Sequence, residues 1–273
     1  MSFKGKLVFV GMTDSGRVRP HNEDCIGTDL DIGLVVLADG MGGYKAGEVA
    51  SAIAVQTVRE RVAEGLKKAH KQETRNGGYA AETLLLRDAI ERANEIIHQT
   101  AKSQPQCEGM GTTIVACLYY DNRVSIAHVG DSRLYRLRRD RFEQITLDHS
   151  LLQELVSRGF YTPEEARKSL NKNLVTRALG IEPTVQVEVQ EDVVLTGDIH
   201  LLCSDGLSDM VEDADIHLTL STFSANLEMA AKQLIQMAND NGGRDNISVI
   251  LTQAVKPFEA KKGLFNRIVD WFA

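Results

Sequence analysis

Short runs rich in valine, isoleucine and leucine recur along the chain. They predict strands at Leu7–Gly11, Gly33–Ala38, Thr112–Tyr120, Val124–Val129, Val185–Val189, Ile199–Cys203 and Ile247–Thr252. Two longer stretches repeat their apolar residues at helical spacing instead. One runs from about Ala46 to Leu66, where Val49, Ile53, Val58 and Val62 gather near one face; the other runs from about Ala80 to Lys102, with Leu85, Ala89 and Ile96. A third helix fits Leu227–Asn239. The strands follow one another more often than they alternate with helices, so the pattern predicts α+β layers of antiparallel strands rather than a doubly wound sheet. The polar, mixed segment from His149 to Gly180 is expected to leave the sheets as a small helical excursion.

No repeat or Pro-rich linker divides the chain until Pro257–Gly263 turns polar, which sets an expected main domain at 1–256 and an appendage at 257–273. In that appendage Leu264, Phe265, Ile268, Val269 and Phe272 gather on one side of a short helix. About ten residues cannot hold a helix alone in water. This face is therefore expected to pack on the domain's own body, on a partner protein or on a membrane surface, for which the flanking positive charge is small.

Composition narrows the class. The 273 residues are 43% hydrophobic, 25% charged and 5% aromatic, ordinary for a globular protein long enough to bury a large core. No apolar run approaches the roughly 20 residues of a membrane-spanning helix, and Leu7–Val10 is too short for the core of a secretion signal. The four cysteines, Cys25, Cys107, Cys117 and Cys203, are widely spaced and read as reduced thiols of a cytoplasmic protein. A net charge of -7 argues against a sequence-independent grip on nucleic-acid phosphate.

The candidate chemistry lies where the apolar runs stop. Asp39 closes Leu34–Ala38 and precedes Gly40; Asp205 closes Leu201–Ser204 and precedes Gly206. Asp131 follows Ile126–Gly130, and Asp245 stands just before Asn246 and the last predicted strand. A single strand-end Asp-Gly pair is turn chemistry. Several in one sheet can converge, and clustered carboxylates persist where cations neutralise them. All the candidate donors are hard oxygens and no Cys/His pair has zinc spacing, which selects Mg²⁺ or Mn²⁺. Two such cations suit in-line hydrolysis at phosphorus.

The motifs around these acids carry a resemblance. Thr13-Asp14-Ser15-Gly16 leads to Arg19 and Asn22-Glu23-Asp24, then to Asp39-Gly40-Met41-Gly42-Gly43. Gly109-Met110-Gly111-Thr112-Thr113, Val129-Gly130-Asp131-Ser132-Arg133 and Asp148-His149-Ser150 follow in order. Thr176-Arg177-Ala178-Leu179-Gly180, Ser204-Asp205-Gly206-Leu207 and Arg244-Asp245-Asn246 complete the series. The chain resembles the metal-dependent type 2C serine/threonine protein phosphatases in their compact bacterial form. The resemblance implies an α+β, four-layer α-β-β-α sandwich, with two antiparallel sheets flanked by antiparallel helix pairs and a small flap at about 150–173. It implies hydrolysis of phosphoserine and phosphothreonine on proteins by a water that bridges two Mn²⁺ or Mg²⁺ ions, reversing a bacterial serine/threonine kinase.

Carried over residue by residue, the resemblance has Asp39 bridge both ions and the Gly40 carbonyl bind one. Asp205 and Asp245 complete the other, and Asp24, with Glu23 as a second candidate, acts through bound water. Asp131, with Asp205, would hold a third, weaker ion. Arg19 would grip the substrate phosphate, since its planar donor fork matches two phosphoryl oxygens. Arg19 and Asp39 are thus expected to carry catalysis, whereas Arg17 reads as a solvated surface arginine.

The chain departs from many eukaryotic relatives, which place a histidine directly after the first Asp-Gly; here Met41 stands there. The proton for the departing alkoxide must then come from metal-bound water or another group. His149 is a candidate donor by its place in the sequence but is read as a structural residue opening the flap, and His21 and His128 likewise as structural. The stretch Arg133, Arg136, Arg138, Arg139 and Arg141 lies across a predicted hairpin, and reads as a solvated strand face or as a docking site for an acidic partner. A non-catalytic scaffold of the same fold and a phosphohydrolase of small esters are the competing readings. The intact acidic set and Arg19 argue against the scaffold. The expected protein is a cytoplasmic monomer without nucleic-acid partner or membrane span.

Overall fold

A computed structural model describes residues 3–42, 46–69, 78–162, 165 and 174–259. In it the apolar runs form two antiparallel sheets laid face to face. The strands are β1 (Leu7–Asp14), β2 (Asp24–Asp29), β3 (Leu34–Met41), β4 (Gly111–Thr112), β5 (Ile114–Tyr120), β6 (Arg123–Val129), β7 (Arg133–Arg138), β8 (Arg141–Gln144), β9 (Glu188–Val193), β10 (Ile199–Cys203) and β11 (Ile247–Ala254). One sheet runs β1-β11-β10-β7-β8; the other runs β2-β3-β5-β6-β9, with β4 beside β3.

Period-two alternation sorts the side chains into layers. In β3, Val35 and Leu37 point between the sheets, where they join Val115, Ile126, Leu202 and Ile250. Leu34, Val36 and Ala38 point the other way, onto helices α1 (Ala46–Ala69) and α2 (Ala81–Ser103). The opposite sheet is covered by α5 (Asp213–Thr222) and α6 (Leu227–Asp240). Their Ile216, Leu220 and Leu234 pack with Leu201, Val249 and Leu251. This is the expected four-layer α-β-β-α sandwich. Between β8 and β9 the chain leaves the sheets through α3 (Leu151–Ser157), capped by Ser150, whose hydroxyl accepts the Gln153 N–H at 3.3 Å. The rest of the expected flap, at 163–164 and 166–173, lies outside the described residues.

Some elements differ from the pattern. β9 is at Glu188–Val193 rather than Val185–Val189, because an edge strand pairing only with β6 and covered on one face needs no apolar run. The predicted strand Thr112–Tyr120 is two, β4 and β5, broken at Thr113. β2 and α5 have polar, mixed sequences and were not among the predicted elements. The arginine-rich stretch is the β7–β8 hairpin, and three of its five arginines are held in partly buried pairs within the fold. Arg133 forks onto Asp148 at 2.7–3.1 Å, Arg136 pairs with Glu143 and Asp192, and Arg138 forks onto Asp198. A strand-face network therefore occupies Arg133, Arg136 and Arg138, three of the five arginines considered for docking. Phe258, placed in the linker by composition, is buried against Phe3 and Tyr119 with ring centroids 5.8 and 6.3 Å apart. The amphipathic segment 264–272 lies outside the described residues.

Candidate metal centre

The alternation that builds the inter-sheet core also delivers acids to its end. Asp39 continues the parity of Val35 and Leu37, and Asp24 of β2 stands directly opposite it across the antiparallel pair. Like charges opposed in this way repel. Asp131 occupies the turn between β6 and β7, and Asp205 opens the short helix α4 (Asp205–Ser208) just past β10. Asp245 stands two residues before β11. Asp39, Asp131, Asp205 and Asp245 line one cleft of about 640 Å³ with Arg19, Gly40 and Met41; Asp24 is buried behind it.

Backbone contacts hold these strand ends. The break at Thr113 serves Asp39. Its N–H donates to Thr113 Oγ1 at 3.1 Å, and its carbonyl accepts from Thr112 Oγ1 and Thr113 N at 2.8 and 2.9 Å. Gly40 has no room for a side chain, since a Cβ would run into the carbonyl oxygens of Gly47 and Glu23. Asn246 organises the opposite wall. Its Oδ1 accepts the Glu23 N–H at 2.8 Å, while its Nδ2 donates to the carbonyls of Ser15 and His21 at 3.1 and 2.9 Å. One buried amide thus ties the Ser15–Glu23 loop to the neighbour of Asp245. Arg19 on that loop donates to Asp245 Oδ2 at 2.7 Å and lines the cleft, half-exposed; Arg17 lies outside the lining.

The electrostatics are those of a site short of positive charge. Burial, then the charges of Asp24, Asp205 and Asp131, push the Asp39 carboxyl well above the usual carboxylate range. Burial, then Asp131 and Asp245, do the same to Asp205. Asp24 is pushed up to about 6 by burial, against hydrogen bonds from Ser248 and Ser204 that favour its charge. Asp131 also reaches about 6, by burial and the neighbouring Asp148. Asp24 Oδ2 accepts from Ser204 Oγ at 2.9 Å, but its buried Oδ1 has no hydrogen-bond partner. Hard, crowded oxygen donors with one buried oxygen left over fit a divalent hard cation, and no cysteine lines the cleft.

Another group could in principle hold a metal. Among the described residues, His128, His149 and Glu188 bring their ligand atoms within 4.8 Å of one another. It lies outside the cleft lining, and its donors are committed elsewhere. His128 Nε2 bonds the Leu147 carbonyl at 2.9 Å, the two rings stack at 4.7 Å, and Arg177 Nη1 stands 3.2 Å from His149 Nε2. Stacked rings do not converge their in-plane lone pairs, and the guanidinium already supplies a cation. His128 and His149 are therefore not arranged as a metal site. Sequence reading quoted Asn246, Thr113 and Ser204 within motifs or runs but gave them no task. The partners that tie them to the acidic strand ends and the Arg19 loop lie 42 to 231 residues away, beyond any local signal.

The protein phosphatase 2C family profile matches residues 20–251. The "Serine/threonine phosphatase stp" of Listeria innocua is 40% identical over 246 residues, covering 88% of this chain and 93% of that protein. The "Serine/threonine protein phosphatase PstP" of Mycobacterium tuberculosis is 38% identical over 253 residues, 91% of this chain and 45% of that longer protein. The crystal structure of the M. tuberculosis serine/threonine phosphatase PstP/Ppp superposes with a TM-score of 0.79 at 36% identity, covering 92% of this chain and all of that one. The PstP catalytic domain in complex with 2 manganese ions gives 0.76 at 37% identity, covering 92% and 99%.

Proposed function

The chain belongs to the protein phosphatase 2C family and is a metal-dependent serine/threonine protein phosphatase, and we propose that its carboxylate cleft is the reaction centre. The observation that carries this reading is the convergence of Asp39, Asp205, Asp131 and Asp245 on one cleft, with Asp24 behind it holding an unpartnered oxygen. Asp39, shared between both halves of the acidic set, would bridge two Mn²⁺ or Mg²⁺ ions. Asp205 and Asp245 would complete one, the Gly40 carbonyl the other, and Asp24 would act through water. Asp131 with Asp205 would hold a third, weaker ion. Bound there, such cations polarise phosphoryl oxygens and lower the pKa of a shared water.

The chain's own residues do the rest. Arg19 sits at the rim on a loop pinned by Asn246, and its remaining donors can fork onto a phosphoryl group while Nη2 holds Asp245. The substrates are phosphoproteins. We take the protein to reverse a bacterial-type serine/threonine kinase and to act as a monomer in the cytoplasm. Its four cysteines are all free, as in a reducing compartment, and no described helix is long and apolar enough to cross a membrane. The test is release of phosphate from a phosphothreonine peptide with Mn²⁺, with and without chelator. Activity that survives chelation, or survives Asp39→Asn, overturns the assignment.

A further inference from the structure

Of the three histidines near the cleft or its surroundings, His149 makes contacts that neither packing nor turn formation requires. Its ring and its backbone both hold the same residue, Gly130. The Gly130 N–H donates to His149 Nδ1 at 3.1 Å, and the His149 N–H donates to the Gly130 carbonyl at 2.9 Å. Gly130 is in the left-handed region, with φ +104, and a Cβ there would strike Thr113. The residue that follows it is Asp131. A backbone N–H can only donate, so Nδ1 accepts, and in the neutral ring the proton sits on Nε2. That nitrogen faces Glu188 Oε2 at 3.2 Å, which accepts its hydrogen bond. Arg177 Nη1, also 3.2 Å from Nε2, then lies beside it as a neighbouring charge and not as its hydrogen-bond donor, and the ring stacks on buried His128.

On its other side His149 closes the base of the excursion. Its carbonyl accepts the Thr176 N–H at 2.8 Å, and Ser150 bridges Val175, which lines the cleft. One residue therefore touches both the turn that aims Asp131 and the two chain segments that enter and leave the excursion. Arg133 and Asp148, forked together, add a second link, two residues past Asp131 and one before His149.

We propose that His149 is the positioning residue that aims Asp131 at the outermost cation, by holding Gly130 through Nδ1 and fixing that turn to the base of the excursion. The inference rests on the reading of Asp131 as ligand of the third ion. Burial lowers the His149 pKa, in keeping with the neutral acceptor ring that the geometry needs.

Two variants separate the two ends of the ring. In His149→Asn the side-chain oxygen falls near the place of Nδ1 and can still accept from Gly130. In His149→Gln the polar group extends toward the place of Nε2 and leaves the Gly130 N–H without its acceptor. Mn²⁺ titration by calorimetry is expected to show the weakest site loosened roughly tenfold in His149→Gln, as the loss of one buried hydrogen bond implies, and close to native in His149→Asn. The two tighter sites should keep their occupancy in both. The Gly130 amide resonance should move in His149→Gln and stay near its native position in His149→Asn. Native weak-site affinity in His149→Gln, or equal loss in both variants, overturns the proposal. Asp131→Ala run alongside isolates the underlying reading. If it leaves the weak site intact, Asp131 is not its ligand, and the Gly130 resonance alone then decides whether His149 holds the turn. Long-range nitrogen–proton spectra of the native protein give a check that needs no variant. A proton on Nδ1 of His149 at neutral pH overturns the proposal.

Discussion

Two groups of polar side chains sit on the same two sheets, one buried between them and one gathered at the cleft at their end, and they are treated oppositely. Farther along β5, β10 and β11 from the cleft, Tyr119 Oη meets Thr252 Oγ1 at 2.5 Å and His200 Nδ1 at 3.1 Å. Burial pushes the His200 ring down to about 4 and the Tyr119 phenol well above its ordinary range, so both stay neutral. No buried nitrogen or oxygen of these three side chains is left without a partner. At the cleft end, five aspartates share one end of the sandwich, burial and neighbouring carboxylates raise the pKa values of Asp39 and Asp205, and Asp24 Oδ1 is left without a partner. The first cluster is closed by the chain. The second is closed only by something the chain does not supply, which is how a fold marks a place for a ligand.

The sharpest way to break this contrast is to remove a charge from the open cluster. Asp39→Asn or Asp205→Asn is expected to lower Mn²⁺-dependent turnover by several orders of magnitude. The same change should raise the melting temperature of the metal-free protein, by ~2–4 °C for each kcal/mol of repulsion relieved. Near-native turnover in either variant would remove that aspartate from the centre.

Arg19 tests whether the open cluster faces substrate as well as metal. Arg19→Ala is expected to cost roughly tenfold to hundredfold in kcat/KM on a phosphopeptide, the ~1.5–3 kcal/mol of a charge-assisted bidentate contact. It should also weaken inhibition by inorganic phosphate, and Arg17→Ala should do little. Equal losses in the two variants would refute the assignment of Arg19.

The closed cluster should behave the other way round. Tyr119→Phe strands the partners of the hydroxyl and is expected to cost ~1–3 kcal/mol of stability, read from denaturant midpoints, with kcat unchanged. A fall in kcat without loss of stability would mean that the two clusters are not independent.

The smallest effect is in pH. Asp24 and Asp131 have folded pKa values of about 6, above those of the unfolded chain. A raised carboxyl binds its proton more tightly when folded, so it stabilises the metal-free protein in acid, and that contribution is lost as pH rises through about 6. The difference in melting temperature between Mn²⁺-loaded and metal-free protein should therefore widen from pH ~5 to ~7. A constant difference would show that these carboxyls are not the ones the cation neutralises.

The contrast also marks what could be read before any coordinates. Strand-end aspartates announced themselves because Asp39 and Asp205 terminate uninterrupted apolar runs beside glycine. The core of β3, β5, β10 and β11 was legible for the same reason. β2 was not, because Asp-Cys-Ile-Gly-Thr-Asp has too little alternation, yet it is the strand that sets Asp24 against Asp39. The hairpin arginines could be counted, but their carboxylate partners Asp192 and Asp198 come from distant positions. Asn246 was hidden most completely. Its value lies wholly in partners over two hundred residues away, and an asparagine before a strand ordinarily announces only a turn.

That long reach has a consequence in time. Contacts of such separation cost the most loop-closure entropy and form late in folding. The loop around Arg19 emerges early from the ribosome, but the amide that pins it and the aspartate that Arg19 holds belong to the segment leading into β11. At the usual pace of about 5–20 residues per second, the loop waits on the order of ten seconds or more for its anchor. Until then the chain can hold apolar layers together but has no assembled cleft. A nascent or C-terminally clipped chain lacking β11 would therefore be silent rather than indiscriminately active.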